Sequence, residues 1–162
     1  MIGLQTSEEV PVKEHPDNYD AELLLRLYEL RRETKLREGR DWLIREFQAS
    51  SVDEYQAQIP PTSDKNALFR MTVTYWEMAA SLVNHGLINE ELFFENTGEF
   101  WMVWEKVKSF VPALRQQLKN PLMWKNLEGL AQKYEAWMAK RAPEALECRR
   151  ERMASFSPKK KS

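Results

Sequence analysis

Apolar residues along the chain recur at spacings of three and four, which is the spacing of one face of an α-helix. The longest such stripe consists of Leu68, Met71, Tyr75, Met78, Ala79 and Leu82. Long runs of β-branched residues and the Asn-Gly or Asp-Gly pairs of tight hairpins are absent from the sequence. The pattern therefore predicts an all-α protein.

Capping and helix-breaking residues divide this pattern into segments. The predicted helix starts are Asp17 or Asn18, Thr34, Ser51, Thr62 or Ser63, Asn89, and Asn120 followed by Pro121. Gly39 weakens the prediction that the segment after Thr34 is one unbroken helix. Gly86 occupies a position typical of a left-handed C-cap, so the longest helix is predicted over residues 64–85.

These segments add up to five to seven helices joined by short loops. Because short connections favour antiparallel neighbours, we predict an irregular antiparallel helical bundle. A single helical domain is predicted over residues 17–154. A flexible acidic lead-in at 1–16 is predicted before it, and a basic disordered tail at 155–162 after it.

The composition of the 162-residue chain is that of a folded domain, because 43% of its residues are hydrophobic. This fraction excludes an intrinsically disordered chain, and the single cysteine excludes a disulfide scaffold. A net charge of −1 argues against a dedicated nucleic-acid-binding protein. The charge is unevenly distributed, since residues 1–20 carry about −4 and residues 140–162 about +5.

The sequence predicts no transmembrane segment. Its longest stretch without a charged residue is 12 residues, at 78–89, whereas a membrane-spanning helix needs about 20 apolar residues. The N-terminus has neither the basic segment nor the long apolar stretch of a signal peptide. We therefore expect a cytoplasmic protein.

Residue types that carry catalysis or bind metals are scarce in this chain. Its two histidines and one cysteine do not form the clustered motifs of zinc or di-iron sites. The five glycines are scattered and form no phosphate-binding loop. We therefore predict no metal, no cofactor and no catalytic residues, and the sequence favours a non-enzymatic protein.

Glu77 is an acidic residue among the apolar positions of the predicted helix 64–85. If it is buried, its charge needs a partner or must be neutralised. Arg45, Arg70 or Arg115 could supply that partner through a bidentate ion pair. Three interpretations are open: a structural ion pair, a ligand-sensing or acid/base carboxylate in a polar cavity, and simple exposure at the edge of the stripe.

Six tryptophans are many for a chain of this length. Trp101 and Trp104 lie three residues apart and so share a helix face, and Trp42 is the third ring that we assign to a candidate aromatic patch. Tryptophan is enriched at binding hot spots. The alternative interpretation is that these large rings fill an irregular helical core.

Five segments of the chain resemble a bacterial family of small all-helical proteins of unknown function. They are Leu30-Arg-Arg-Glu-Thr-Lys, Arg40-Asp-Trp-Leu, Thr74-Tyr-Trp-Glu-Met-Ala, His85-Gly-Leu-Ile-Asn-Glu-Glu-Leu and Phe100-Trp-Met-Val-Trp-Glu. The resemblance covers about residues 22–137 and implies a helical fold and a bacterial origin. Several family members carry an N-terminal membrane helix, but the first 20 residues here are acidic and polar.

These observations support three functional hypotheses. The first is a non-enzymatic helical interaction module that binds a protein partner or self-associates. The second is a small-molecule-binding or catalytic bundle with Glu77 at a polar cavity. The third is peripheral contact with an anionic membrane or nucleic acid through the basic residues 149–161.

Overall fold

The computed structural model describes residues 14–156 of the chain. Most of the predicted flexible lead-in and of the predicted basic tail, at residues 1–13 and 157–162, lies outside the described residues. Within the described part the chain is entirely helical, as the apolar spacing predicts, and contains no strand.

Nine helices form within residues 14–156. They are α1 (Asn18–Arg31), α2 (Thr34–Arg45), α3 (Val52–Gln58), α4 (Asp64–Asn84), α5 (Glu90–Asn96), α6 (Glu99–Val107), α7 (Val111–Gln117), α8 (Lys125–Arg141) and α9 (Ala145–Ser155). The predicted number of five to seven is too low for this part of the chain. The helices without a capping residue among the predicted starts are α6, α7 and α9, whose N-cap residues Gly98, Phe110 and Glu144 provide no side-chain hydrogen bond.

Local capping chemistry sets most helix starts where the sequence predicts them. Asp17 and Asp20 form a capping box at the start of α1. Ser51 and Ser63 accept hydrogen bonds from amides in the first turns of α3 and α4, and Asn89 does the same for α5. Each of these side chains satisfies an amide that would otherwise lack a partner.

The start of α8 differs from the prediction. The helix begins at Lys125 and not directly after the Asn120-Pro121 pair. The Asn120 side chain accepts a hydrogen bond from the Leu122 amide at 3.1 Å, and Trp124 adopts the left-handed conformation with φ of 52°. This local turn competes with helix formation, so the predicted cap serves a turn instead.

Helix α4 lies at the centre of the fold, where it packs against α2, α5, α6 and α8. Its side chains Phe69, Val73 and Trp76 are almost completely buried in one continuous core. The predicted stripe is therefore widened, because several surrounding helices bury more than one face of α4.

Two hydrogen bonds fix α1 against the rest of the fold. The Tyr75 hydroxyl on α4 donates to the Leu27 carbonyl oxygen on α1 at 2.5 Å. The fully buried Asp20 carboxylate accepts from the Asn89 amide at 2.6 Å. The second bond joins the first turn of α1 to the cap of α5, so one acidic side chain holds two helix starts together.

Gly39 lies inside α2 and does not interrupt it. A Cβ atom at this position would lie 2.6 Å from Thr72 Oγ1 and 3.0 Å from the Leu68 carbonyl oxygen, both on α4. The glycine is therefore explained by the close approach of two helix backbones and not by a turn.

We predict that Gly39→Ala lowers the free energy of unfolding by about 1–3 kcal/mol, because the added methyl group overpacks the contact between α2 and α4. Chemical denaturation with urea measures this change.

Gly129→Ala is the matched control, because the space around a Cβ at Gly129 in α8 is open. The better helix propensity of alanine should raise the free energy of unfolding by about 0.5–1 kcal/mol there. Equal stabilisation by both substitutions would contradict the close-packing explanation.

Candidate functional site

Glu77 lies on α4 facing the first turn of α8, and it is half-buried. One carboxylate oxygen accepts hydrogen bonds from the Asn126 amide at 3.2 Å and from the Asn126 side chain at 3.0 Å. The other accepts from the Leu127 amide at 2.8 Å. Glu77 is thus the N-terminal cap of α8, whose own cap position, Trp124, provides no side-chain hydrogen bond.

Two of the three arginines considered as partners of Glu77 pair with other carboxylates, and amides of α8 bind the Glu77 carboxylate instead. Arg45 is exposed and pairs with Asp41 at 2.7 Å. Arg115 is largely buried and pairs with Glu128 at 3.0 Å. The amides at the start of α8 satisfy the Glu77 carboxylate without a cation, because the positive end of the helix favours a negative charge.

The pair between Arg115 and Glu128 anchors the turn before α8. Arg115 Nε donates to the Met123 carbonyl oxygen at 2.8 Å. Burial by itself would raise the pKa of Glu128, but hydrogen bonds from Lys125 and Arg115 outweigh burial and lower it below its ordinary value. Arg115 is thus a structural residue that connects α7 to α8.

The three tryptophans of the predicted aromatic patch are buried, with exposed fractions of 7% for Trp42, 0% for Trp101 and 8% for Trp104. They therefore do not form an exposed patch, because they fill the core around α4 and α6. Trp101 Nε1 donates to Glu135 at 2.9 Å, and the Arg150 guanidinium lies 5.1 Å from the Trp101 ring.

An apolar pocket lies between α1, α4 and α5. It has a volume of about 280 Å³. Its walls are the side chains of Leu24, Leu27, Tyr28, Tyr75, Trp76 and Phe93, with Arg31 and Thr97 also in the lining. A concave, mainly apolar site with a few polar groups is typical of small-molecule binding.

Two residues of the pocket lining each carry a buried polar atom that has no hydrogen-bond partner. The atoms are Nε1 of Trp76 and Oγ1 of Thr97. Trp76 is only 2% exposed. An unsatisfied buried donor costs about 1–3 kcal/mol, so such groups are rare in folded proteins and indicate a function or a missing partner.

The other polar side chains of the pocket, Tyr75 and Arg31, differ in charge and in hydrogen bonding. The Tyr75 hydroxyl is committed to Leu27, and burial raises the pKa of Tyr75 to about 12, so it stays protonated. The half-buried Arg31 guanidinium lies 5.0 Å from the Tyr28 ring. Arg31 forms no ion pair with a described carboxylate, so it brings an uncompensated positive charge to the lining.

The sequence gives little indication of this pocket. Trp76 and Tyr75 read as core residues of a helix, and Thr97 reads as the residue before a break. The pocket depends on how α1 crosses α4 and α5, and no spacing along one helix encodes that crossing.

Across residues 14–156, His, Cys, Asp and Glu side chains form no group of three that could hold a metal ion. No helix within that range combines the length and apolar character needed to cross a membrane.

We predict that Glu77→Gln lowers the free energy of unfolding by about 1–2 kcal/mol, because an amide nitrogen replaces one of the two oxygens that accept from α8. Urea denaturation measures the loss. The control is Glu22→Gln, which removes the same charge from an exposed position on α1. A loss no larger than that of the control would show that the cap contributes nothing.

Comparisons with known proteins place the chain in a family. No curated protein and no solved structure matches it. The sequence model of a domain of unknown function (DUF4760) matches residues 18–134, which extend from the start of α1 into α8 and include the whole pocket. This match confirms the resemblance to a family of unknown function, and the chain belongs to the DUF4760 family.

Proposed function

We propose that this protein binds a small amphipathic carboxylate in the pocket between α1, α4 and α5. The observation that supports the proposal is the unpartnered Nε1 of Trp76, which is buried in an apolar lining. A hydrogen-bond acceptor on a ligand would satisfy this donor and remove its desolvation cost.

The polar groups of the pocket favour an acceptor over a donor. Indole Nε1 can only donate, and the Arg31 guanidinium can only donate. The Thr97 hydroxyl can donate as well. A carboxylate offers up to four acceptor positions and a negative charge that Arg31 complements, so it fits this set better than an amine or an alcohol.

The rest of the pocket favours an apolar body on the ligand. Leucine and aromatic side chains from three helices form most of the walls. Leu25, also in the lining, is 68% exposed, and Tyr28 is 52% exposed. A chain of several methylene groups would bury this surface, at about 0.8 kcal/mol per methylene group.

We predict that Thr97→Val weakens the binding of octanoate about tenfold, because it removes one hydrogen bond and keeps the volume of the side chain. Isothermal titration calorimetry measures the affinity. The melting temperature without octanoate should stay the same or rise, because the substitution removes an unsatisfied buried hydroxyl.

Trp76→Phe should weaken octanoate binding to a similar degree. Its control is Trp137→Phe, because Trp137 Nε1 is also buried and unpartnered but lies outside this pocket. 1-Octanol should bind more weakly than octanoate, because it lacks the charge. Equal loss in both tryptophan variants, or failure of octanoate to bind, would contradict the proposal.

We propose self-association through α1 as a second candidate function. Four large hydrophobic side chains of this helix are 49–73% exposed, namely Tyr19, Leu25, Tyr28 and Leu30. Leu25 and Tyr28 lie three residues apart and share a helix face, and burial of this face against a second copy would remove apolar surface from water. This proposal keeps the predicted interaction module but moves its surface from the tryptophans to α1.

We predict that Leu25→Glu lowers the tendency to form dimers at least about tenfold, because it places a charge in the apolar contact. Sedimentation velocity over a range of concentrations measures the dimer fraction. Leu122→Glu is the control, because Leu122 is 76% exposed but lies before α8. A monomeric wild-type protein, or equal effects of both substitutions, would refute self-association through α1.

A further inference from the structure

Five arginines line a second cleft, which is formed by α2, α6 and α9. They are Arg37, Arg40, Arg45, Arg149 and Arg152. The cleft has a volume of about 550 Å³ and is separate from the apolar pocket, with which it shares no lining residue. Its two acidic lining residues, Asp41 and Glu99, are too few to balance the arginines.

The acidic residues neutralise two of the five arginines. Glu99 accepts from Arg40 Nε at 2.6 Å and from Arg40 Nη2 at 2.5 Å. Asp41 pairs with Arg45 at 2.7 Å. Among the described carboxylates, none forms an ion pair with the other three arginines, namely Arg37, Arg149 and Arg152. The cleft therefore carries three uncompensated positive charges.

Arg149 is the most enclosed of these three cations. Its guanidinium lies directly over Gly98, where a Cβ atom would come within 2.6 Å of Nη1. It also contacts two uncharged groups: the Tyr134 hydroxyl at 3.4 Å and the Trp101 ring, whose centroid is 5.9 Å away. A half-buried charge without a counter-ion is costly, so an anion in the cleft would stabilise Arg149.

The remaining lining is apolar. Ile44, Met102 and Phe156 contribute to the same cleft. Phe156 is 36% exposed, and the Arg45 guanidinium lies 5.1 Å from its ring. An apolar or aromatic group attached to an anion would find contact surface beside the cations.

We infer that this cleft binds an organic phosphate. Arg37, Arg149 and Arg152 bind the phosphate oxygens, and Ile44, Met102 and Phe156 contact the organic part. Guanidinium groups bind phosphate in a bidentate manner. A phosphate or diphosphate group matches three free positive charges better than a single carboxylate, which would leave two of them uncompensated.

ADP is the probe for this inference, because it combines a diphosphate with a planar ring system. Calorimetric titration of the full chain should show one ADP per protein. Arg37→Ala and Arg152→Ala should each weaken the binding about tenfold or more, because each removes a charged hydrogen-bond donor. Both side chains are exposed, so neither substitution should disturb the fold.

Arg70→Ala is the matched control, because it removes an exposed arginine from α4, outside the cleft. Its affinity for ADP should equal that of the wild type. Arg149→Met tests the enclosed cation and should abolish ADP binding, with the melting temperature measured in parallel. Trp76→Phe should leave ADP binding unchanged, so this test is independent of the carboxylate pocket.

Four further probes decide between the alternatives. Adenosine should not bind, and inorganic pyrophosphate should bind more weakly than ADP. Pyrophosphate binding as tight as that of ADP would refute the contact with the organic part. Binding to phosphatidylserine vesicles or to duplex DNA without binding to ADP would overturn the inference, as would equal ADP affinity in all the arginine variants.

Discussion

Burial of α4 by several surrounding helices is the constraint on which the rest of the structure depends. A helix enclosed in this way must satisfy each of its inward polar groups within the protein. Thr72 does so on its own helix, by donating to the Leu68 carbonyl oxygen at 2.9 Å. Tyr75 does so on α1, and Glu77 on α8. The polar groups of α4 thereby connect the helices that surround it.

Two polar atoms of α4 depart from this rule, since Trp76 Nε1 and Asn84 Oδ1 are buried and have no partner. Of the two residues, only Trp76 lines the apolar pocket, and this coincidence supports a function for the pocket. Trp137 Nε1 is also unpartnered, but it does not line that pocket. Comparison of Trp76→Phe with Trp137→Phe therefore distinguishes an unsatisfied donor at a binding site from an unsatisfied donor elsewhere in the protein.

The sequence predicts the features of the fold that depend on neighbouring residues. Asp17, Ser51 and Asn89 cap helices because their partners lie two or three residues away.

The sequence does not predict the contacts of a side chain whose partner is distant along the chain. Glu77 reads as half of an ion pair, but its partners are amides about 50 positions further along the chain, and no pattern within one helix reveals them. The three candidate tryptophans read equally well as core or surface. The packing of α2 against α4 buries Trp42, and the packing of α6 against α4 and α8 buries Trp101 and Trp104.

The cap on α8 also has a consequence for the order in which the chain acquires structure. Because α8 lacks a cap from its own sequence, its first turn is complete only when Glu77 of α4 is already in position. The chain leaves the ribosome from its N-terminus, so α4 is synthesised well before residue 126. The first turn of α8 is therefore capped only after it contacts a residue about 50 positions earlier in the chain. The contact between Glu77 and the start of α8 joins residues that are far apart in the sequence, and such contacts slow folding.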